Sequence, residues 1–395
     1  MELFPHFPLH FNYLAFFGLT ILLGLIGGEL AKRSYFLPVI SGYIAIGFII
    51  GPGCFNIVSN YFLTTAHIFV EISISLILFE LGRHLDFRWL YHDVGLLLMA
   101  ITESVLTFIF IFTVLYFFIG LAKLQAALGA TMAIATSPAV VMMVANDLSA
   151  EGPVTRRTLI LTSINNLFAL IIFTLLLPLT QSKDLMSVKM AHAAYRLFGS
   201  IALGVLMFLT ALLIAWLVGK HKQNQFVLFV GLVLLTLSLS HIFTVSTMLS
   251  LFILGVAARN FDFKHYLIEI NFGWFARVLF ILLFVVTGVH LNLHGVSTVL
   301  GAVALFIFIR GIAKMIGVFL FSSVSKLTFR QAAAISFALT PMAGVAIGMS
   351  NILIDFNPDF GRHLLLMITG AVTILNLVGP IATQIAFIKT KEALS

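Results

Sequence analysis

The sequence is short of cysteine, charge and long polar connections. A single cysteine among 395 residues excludes an intramolecular disulfide and offers no cysteine cluster for a metal site. Charged residues make up 9% of the chain, against roughly 25% in an average soluble domain. The longest connection between apolar runs, from about Thr180 to Arg196, is too short to fold alone. These absences exclude a soluble enzyme and a disulfide-stabilised secreted domain.

Hydrophobic residues dominate instead, at 61% of the chain. They form runs of about 20 residues, the length that crosses a bilayer as a helix. The runs are continuous and rich in Leu, Ile and Phe, without the alternation typical of outer-membrane strands. We therefore predict an all-α polytopic membrane protein surrounded by the lipid bilayer.

The apolar runs divide into thirteen predicted spans. In chain order they are Tyr13–Ala31, Phe36–Gly51, Ala66–Leu81, Val94–Ile119, Leu124–Ala145, Thr158–Leu179, Leu197–Val218, Phe226–Ile242, Val245–Ala258, Phe272–Val289, Val296–Phe321, Gln331–Ile352 and His363–Ile388.

The basic residues give an independent check on this division. When the connections are assigned alternately to two sides, one side holds fourteen Lys and Arg residues, two in every connection, and the other holds five. The positive-inside rule then places the N-terminus outside and the C-terminus in the cytoplasm of a bacterial-type inner (plasma) membrane. Because these residues form no basic patch with interleaved aromatics, we expect no nucleic-acid partner.

An odd number of spans allows an inverted repeat of six spans, a linker span and six more. Span five contains ATSP at Ala135–Pro138, and span twelve contains ALTP at Ala338–Pro341. Span six contains Ile164–Leu167 (INNL), and span thirteen contains Ile374–Leu377 (ILNL), with Asn376 in the place of Asn166. This order predicts two inverted six-helix repeats with crossed discontinuous helices.

Proline residues interrupt both of these spans. Pro138 and Pro341 free backbone groups in mid-membrane, where hydrocarbon cannot satisfy them. Thr136, Ser137 and Thr340 place hydroxyl groups beside the two breaks. A simple proline kink satisfied by Ser or Thr is the structural alternative, but two breaks at matching positions favour an ion or substrate site.

Four polar residues within the spans are candidates for the same site. Asn165 and Asn166 are about 100° apart on a helix, so both can border one cavity, although paired Asn also joins helices by hydrogen bonds. Arg310 and Lys314 lie one turn apart on one face of span eleven. A buried Lys is costly, so we expect a partner or water beside it rather than snorkelling to the membrane surface.

Acidic residues are absent between Glu269 and Asp355, so an acidic partner of Lys314 must come from the first half of the chain. Glu80 and Glu103 are the candidates. The spans contain no paired carboxylates, HExxH motif or Ser/His arrangement, and we therefore expect no enzyme activity, no cofactor and no metal.

Three segments resemble motifs of the monovalent cation:proton antiporter superfamily, in particular its second branch of sodium/proton antiporters and potassium-efflux proteins. They are LPVISGYIAIGFIIGP at Leu37–Pro52, LILFELGRHLD at Leu76–Asp86 and ATSPAVVMMV at Ala135–Val144.

The resemblance implies alternating access in a protein that usually dimerises, with a cation and a proton as partners. It also implies a mobile core of residues 94–179 and 296–388, a scaffold of residues 13–81 and 226–289, and a linker helix at 197–218.

The sequence departs from that family at the ion site. Relatives carry Asp-Asp, Asn-Asp or Gln-Asp where this chain has Asn165-Asn166, and the second acid binds cation and proton alternately. The Pro-Arg-Gly-Glu of many relatives is replaced by Pro341-Met342-Ala343-Gly344. Lys314 is retained at the position where electrogenic relatives pair a lysine with the first acid.

Without both acids, a charged Lys314 is expected to make the core net positive. Our leading hypothesis is exchange of a monovalent cation (Na+ or K+) for protons, with Glu80 or Glu103 replacing the lost carboxylate or with Lys314 itself carrying the proton. The alternatives are transport of an anionic or weak-acid solute, which two half-helix N-termini would attract, and a non-transporting sensor or scaffold.

Overall fold

The computed structural model describes residues 13–34, 37–52, 54–55, 60–181, 185–219, 222–262, 267, 273–289, 300–342 and 344–393. Across these residues the chain is helical and contains no β-strand. The α-helices in chain order are α1 (Tyr13–Arg33), α2 (Val39–Ile50), α3 (Asn60–Arg83), α4 (Phe87–His92), α5 (Val94–Thr113), α6 (Lys123–Ile134), α7 (Pro138–Asp147), α8 (Pro153–Leu176), α9 (Met186–Val218), α10 (Lys222–Ile242), α11 (Thr247–Phe261), α12 (Gly273–Val289), α13 (Leu300–Ser322), α14 (Phe329–Ala338), α15 (Gly344–Phe356) and α16 (Pro358–Lys389).

Each predicted span coincides with one helix, or with two short helices in the case of spans five and twelve. Seven helical segments of the described chain are long and apolar enough to cross a membrane, and four shorter apolar helices accompany them. The predicted all-α polytopic class is therefore confirmed. Phe36, Phe272, 296–299 and Ala343 belong to predicted spans but lie outside the described residues.

The interruption in span five is a true break in the helix. Helix α6 ends at Ile134 and α7 begins at Pro138, whose missing N–H costs nothing at a first helical position. The Ser137 Oγ accepts a hydrogen bond from the Val140 N–H at 3.4 Å and caps α7. Span twelve divides in the same way between Ala338 and Gly344, so the predicted pair of discontinuous helices is present.

Helices α5 and α13 pack very closely against each other, and this contact fixes the relative positions of their residues. These two helices share the most extensive helix contact among the described residues. A Cβ atom at Gly317 of α13 would lie 2.3 Å from the Cα of Glu103 on α5, so only glycine permits this spacing. The approach sets the α5 backbone at Glu103 against the α13 turn that follows Lys314.

The remaining helices pack in a second group. Helices α1, α2 and α12 contact one another, and α3 packs against α11. The long helix α9 contacts α8, α10 and α11, so it touches helices of both the predicted core and the predicted scaffold.

A cavity of about 1960 Å³ opens at one end of the molecule. Lys32, Arg83, Arg156, Arg259 and Lys391 line it, and they come from five different connections that the charge pattern assigned to one side. These connections therefore meet at a single end of the fold.

Candidate ion-binding site

The two broken helices lie against each other. The Ser137 N–H donates a hydrogen bond to the carbonyl oxygen of Pro341 at 2.9 Å. The Thr136 hydroxyl donates to the carbonyl oxygen of Leu339 at 3.4 Å. Each break thus supplies hydrogen-bond partners for backbone groups that the other break exposes. Such partners are required where no water is present to provide them.

Arg310 joins both breaks through one guanidinium. Its Nε donates to the carbonyl oxygen of Ala133 at 2.8 Å, its Nη2 to Ala135 at 2.9 Å and its Nη1 to Thr340 at 2.7 Å. These carbonyls lie at the C-terminal ends of α6 and α14, which carry partial negative charge. The buried positive charge of Arg310 is therefore offset by two helix ends and by three carbonyl oxygens.

Lys314 lies one turn further along α13 and forms an ion pair with Glu103. Its Nζ also donates to the carbonyl oxygen of Ile134 at 3.1 Å and to the Thr136 hydroxyl at 3.2 Å. The Lys314 side chain is 1% exposed and that of Glu103 is 0% exposed. The buried lysine thus has an acidic partner from the first half of the chain, beside the first helix break.

Glu80, the other acid considered from the sequence, lies elsewhere. It forms an ion pair with Arg83 at 3.0 Å, one turn away on α3, and lines the large cavity. Its position near the C-terminal end of α3 explains why it does not reach Lys314. The suggestion that Glu80 compensates for the missing acids is therefore not supported by the geometry.

The Asn pair borders the first break from α8, and both side chains are fully buried. The Asn166 Nδ2 donates to the carbonyl oxygens of Thr136 at 2.7 Å and Thr162 at 2.8 Å. Within the described chain, the Asn166 Oδ1 and the Asn165 Nδ2 have no hydrogen-bond partner. A buried polar atom without a partner costs about 1–3 kcal/mol, so the free Asn166 oxygen is suited to a cation or a water.

Ser104 connects the Asn pair to the ion pair and was not singled out from the sequence. Its Oγ lies 3.1 Å from Asn165 Oδ1 and 3.4 Å from Glu103 Oε2. The only sequence signal was its place next to Glu103. A continuous polar chain therefore runs from Lys314 through Glu103 and Ser104 to Asn165.

Asn376 occupies the corresponding place in the second repeat. It is fully buried on α16, and neither of its amide atoms has a hydrogen-bond partner among the described residues. One turn after Asn376, a Cβ at Gly379 would lie 2.7 Å from Pro341 Cα. Two turns after Asn376, the Thr383 hydroxyl donates to the Ala338 carbonyl at 3.4 Å. Asn376 therefore lies beside the second break and forms no hydrogen bond with the Lys314 cluster.

The charge of the site depends on three ionisable side chains, Arg310, Lys314 and Glu103. Glu103 neutralises Lys314, and the ends of two half-helices offset Arg310. Arg310, Lys314 and Glu103 together still carry one formal positive charge, so Glu103 reduces the expected positive charge of the core without removing it.

Comparisons with known proteins agree on family and fold. The family model described as sodium/hydrogen exchanger, transmembrane, matches residues 18–389. The structure is similar to that of the sodium proton antiporter MjNhaP1 from Methanocaldococcus jannaschii at pH 8, with a TM-score of 0.69 and 18% sequence identity, covering 97% of this chain and 98% of that one. An electron-microscopy map of MjNhaP1 gives a TM-score of 0.69 and 16% identity, covering 96% and 94% of the two chains.

Comparison with curated proteins gives no match. At these identities the structural similarity shows the fold, and the match to the family model covers most of the chain. Both are those of transporters rather than enzymes. The chain therefore belongs to the transmembrane sodium/hydrogen exchanger family.

Proposed function

We propose that the protein exchanges a monovalent cation, Na+ or K+, for protons by alternating access, with Glu103 as the proton-binding group. The observation that carries this proposal is the buried Glu103 carboxylate, paired with Lys314 beside the broken helices. Membership of the exchanger family and the similarity of fold to a sodium proton antiporter support it.

Antiport requires a group whose proton is released when the cation binds, because the two ligands must exclude each other. Asn165 and Asn166 offer amide oxygens but no ionisable group. Glu103 restores a carboxylate to the same cluster from a neighbouring helix. The free Oδ1 of Asn166 and the carboxylate of Glu103 are oxygen ligands of the kind that hard cations prefer.

Lys314 has a distinct role in this scheme. Its ammonium contacts Glu103 in the structure and supplies the positive charge that a bound cation would otherwise supply. A cation arriving beside Glu103 repels the ammonium, since like charges a few ångströms apart interact strongly in a buried site. The cation therefore competes with Lys314 for the Glu103 carboxylate, and protonation of Glu103 removes the negative charge that both of them need.

Purified protein in proteoliposomes tests the proposal. Addition of Na+, K+ or Li+ should dissipate an imposed pH gradient, followed with an entrapped pH-sensitive dye. Glu103→Gln should abolish the response, whereas Glu80→Gln, which removes an acid that pairs with Arg83 at the cavity, should retain it. A wild-type protein without a response to any of the three ions across about pH 6 to 9, where a perturbed carboxyl or lysine titrates, would refute antiport.

Two further variants separate the alternatives. If Lys314 carried the proton, Lys314→Gln would remove the pH dependence of transport; with Glu103 as the carrier, the pH dependence persists. Asn166→Asp returns an acid to the position where relatives carry one and should strengthen cation-dependent proton movement. An inert Asn166→Asp together with an inactive wild type would favour a sensor or an anion transporter.

We also propose that residues 94–179 and 296–388 form a core that moves against a scaffold of residues 13–81 and 226–289, with the helix at 197–218 as linker. The extensive packing of α5 on α13, and the contacts of α9 with helices of both groups, support this division.

We further propose a homodimer in a bacterial inner membrane. Light scattering of the detergent-solubilised protein measures its mass and would exclude a dimer if only monomer appeared.

A further inference from the structure

We propose that Ser104 couples cation binding to the ionisation of Glu103 by giving its single hydroxyl hydrogen to either Asn165 or Glu103. Ser104 is thus a positioning residue: it acts on the groups that hold the cation and the proton. The inference rests on the proposed antiport, in which Glu103 carries the proton and the Asn pair contributes to the cation site.

The geometry places one donor between two acceptors. The Ser104 Oγ is 3.1 Å from Asn165 Oδ1 and 3.4 Å from Glu103 Oε2. A serine hydroxyl has one hydrogen, whereas an amide oxygen and an ionised carboxylate both accept. The hydroxyl can therefore satisfy only one of the two neighbours at a time.

The two positions of the hydrogen favour opposite ligands. When it points to Glu103, the hydrogen bond stabilises the ionised carboxylate and leaves the Asn165 oxygen free for a cation. When Glu103 is protonated, the carboxyl needs no donor, and the hydroxyl turns to Asn165 and occupies the oxygen that a cation would use. Cation and proton binding therefore oppose each other, which is the sign of coupling that antiport needs.

Among the residues that the structure describes, Asn165 and Glu103 are the two hydrogen-bond partners of the Ser104 hydroxyl. It lies on a crevice of about 190 Å³ lined otherwise by apolar side chains, namely Ile101, Val105, Phe108, Ile134, Phe168 and Ile172. Val105 is 48% exposed on the outer surface of α5, which faces hydrocarbon in a membrane. Hydrocarbon supplies neither donors nor acceptors, so the choice between Asn165 and Glu103 is not blurred by bulk water.

Other charged groups near Glu103 come from one helix. Lys314 contacts it, and Arg310 lies one turn away on α13. The other long helices packed against α5 are α6 and α8, whose ionisable residues, Lys123, Arg156 and Arg157, lie in their first turns and far from Glu103. The pH dependence of cation binding therefore reports on the Glu103–Lys314 pair and on the hydroxyl that joins it to Asn165.

The test compares Ser104→Ala with Ser104→Thr in proteoliposomes, using whichever of Na+ and K+ drives proton movement in the wild type. The KM for that ion is measured at about pH 6.5 and about pH 8.5, either side of neutrality. The readout is the KM ratio, which is the KM at the lower pH divided by the KM at the higher pH. A hydrogen bond to a charged group corresponds to a factor of about 10 to 100 in an equilibrium constant. We expect the ratio of the two KM values to fall about tenfold in Ser104→Ala, and Ser104→Thr, which keeps the donor, to retain the wild-type ratio.

Ser163→Ala is the matched control. Ser163 is also fully buried, two residues before Asn165, and among the described residues its hydroxyl donates only to the carbonyl oxygens of Leu81 and Leu159. Its removal should leave the KM ratio unchanged. Should Ser104→Ala not fold, Ser104→Cys keeps the volume with a weak donor and should also reduce the ratio.

The outcomes separate the two proposals. A wild type that moves no protons refutes antiport itself. An active wild type with the same KM ratio in Ser104→Ala as in Ser104→Thr overturns the role of Ser104 and leaves antiport standing. A reduced ratio in Ser163→Ala as well would show a general effect of packing and would equally overturn it.

Discussion

The buried ion pair predicts a strongly non-additive response to mutation. In Lys314→Met the Glu103 carboxylate loses its positively charged partner, and in Glu103→Gln the ammonium loses its negatively charged partner and keeps neutral acceptors such as Ile134 O and Thr136 Oγ1. Removing one member of a buried pair leaves an uncompensated charge and costs about 3–5 kcal/mol. The sum for two independent changes would therefore be about 6–10 kcal/mol. The double variant buries no unpaired charge. In other proteins, replacing both members of a buried ion pair by uncharged residues is often close to neutral in the free energy of unfolding.

We therefore expect the double variant Glu103→Gln/Lys314→Met to be more stable than either single variant. Thermal or denaturant unfolding in detergent, followed by the loss of monodisperse protein, ranks the four proteins of this double-mutant cycle. A coupling free energy of about 3 kcal/mol or more is expected. Additive losses would refute the ion pair, because they would mean that the two groups do not depend on each other in the folded protein.

Three other predictions follow from packing and topology. Gly317→Ala places a Cβ 2.3 Å from the α5 backbone and should abolish transport, whereas Gly311→Ala on the same helix meets nothing within 4 Å and should be neutral in the same assay. Glu392→Gln weakens the bonds of 2.8 and 2.7 Å to first-turn amides of α8 and should cost about 0.5–2 kcal/mol in unfolding measurements, unlike Glu151→Gln at an exposed position. Cys54, the only cysteine, is exposed in a connection predicted to lie outside, so an impermeant maleimide should label it in intact cells but not in inside-out vesicles.

Local sequence signals were sufficient to predict the broken helices. A proline fixes its own backbone and removes a donor wherever it occurs, so Pro138 and Pro341 marked breaks without knowledge of neighbouring helices. The matching order of ATSP and ALTP then related the two breaks. Such features depend on a few adjacent residues, which is why they can be recognised in one sequence.

The partner of Lys314 depends on tertiary packing, and the sequence narrowed it only to two acids. Glu80 and Glu103 both lie in apolar runs, and the run alone does not say which helix faces α13. The decisive contact is made by Gly317, whose missing side chain allows α5 to approach. One glycine in an apolar run is unremarkable in the sequence, because such residues are frequent in membrane helices.

Contacts between short segments that are far apart in the chain could also not be predicted from the sequence. Glu392, close to the end of the described chain, accepts hydrogen bonds from the Val154 and Thr155 amides and from the Thr155 hydroxyl at 2.7 to 2.8 Å. A cap supplied from more than two hundred residues away has no periodicity or spacing that would reveal it. The same holds for Ser104, whose importance comes from the helix that faces it.

Two positive charges one turn apart on α13 are held in chemically different ways, and the difference bears on the proposed mechanism. Arg310 has a planar fork of donors that matches three fixed carbonyl oxygens, and this arrangement joins the two breaks rigidly. Lys314 is a compact charge whose principal partner is one carboxylate, and this is the contact for which the proposed cation competes. In the proposed mechanism Arg310 therefore holds the breaks together while a cation replaces Lys314 as the partner of Glu103. Lys314→Arg would keep the charge but place a larger planar guanidinium in the buried space beside Glu103, and it should stop transport while costing less stability than Lys314→Met.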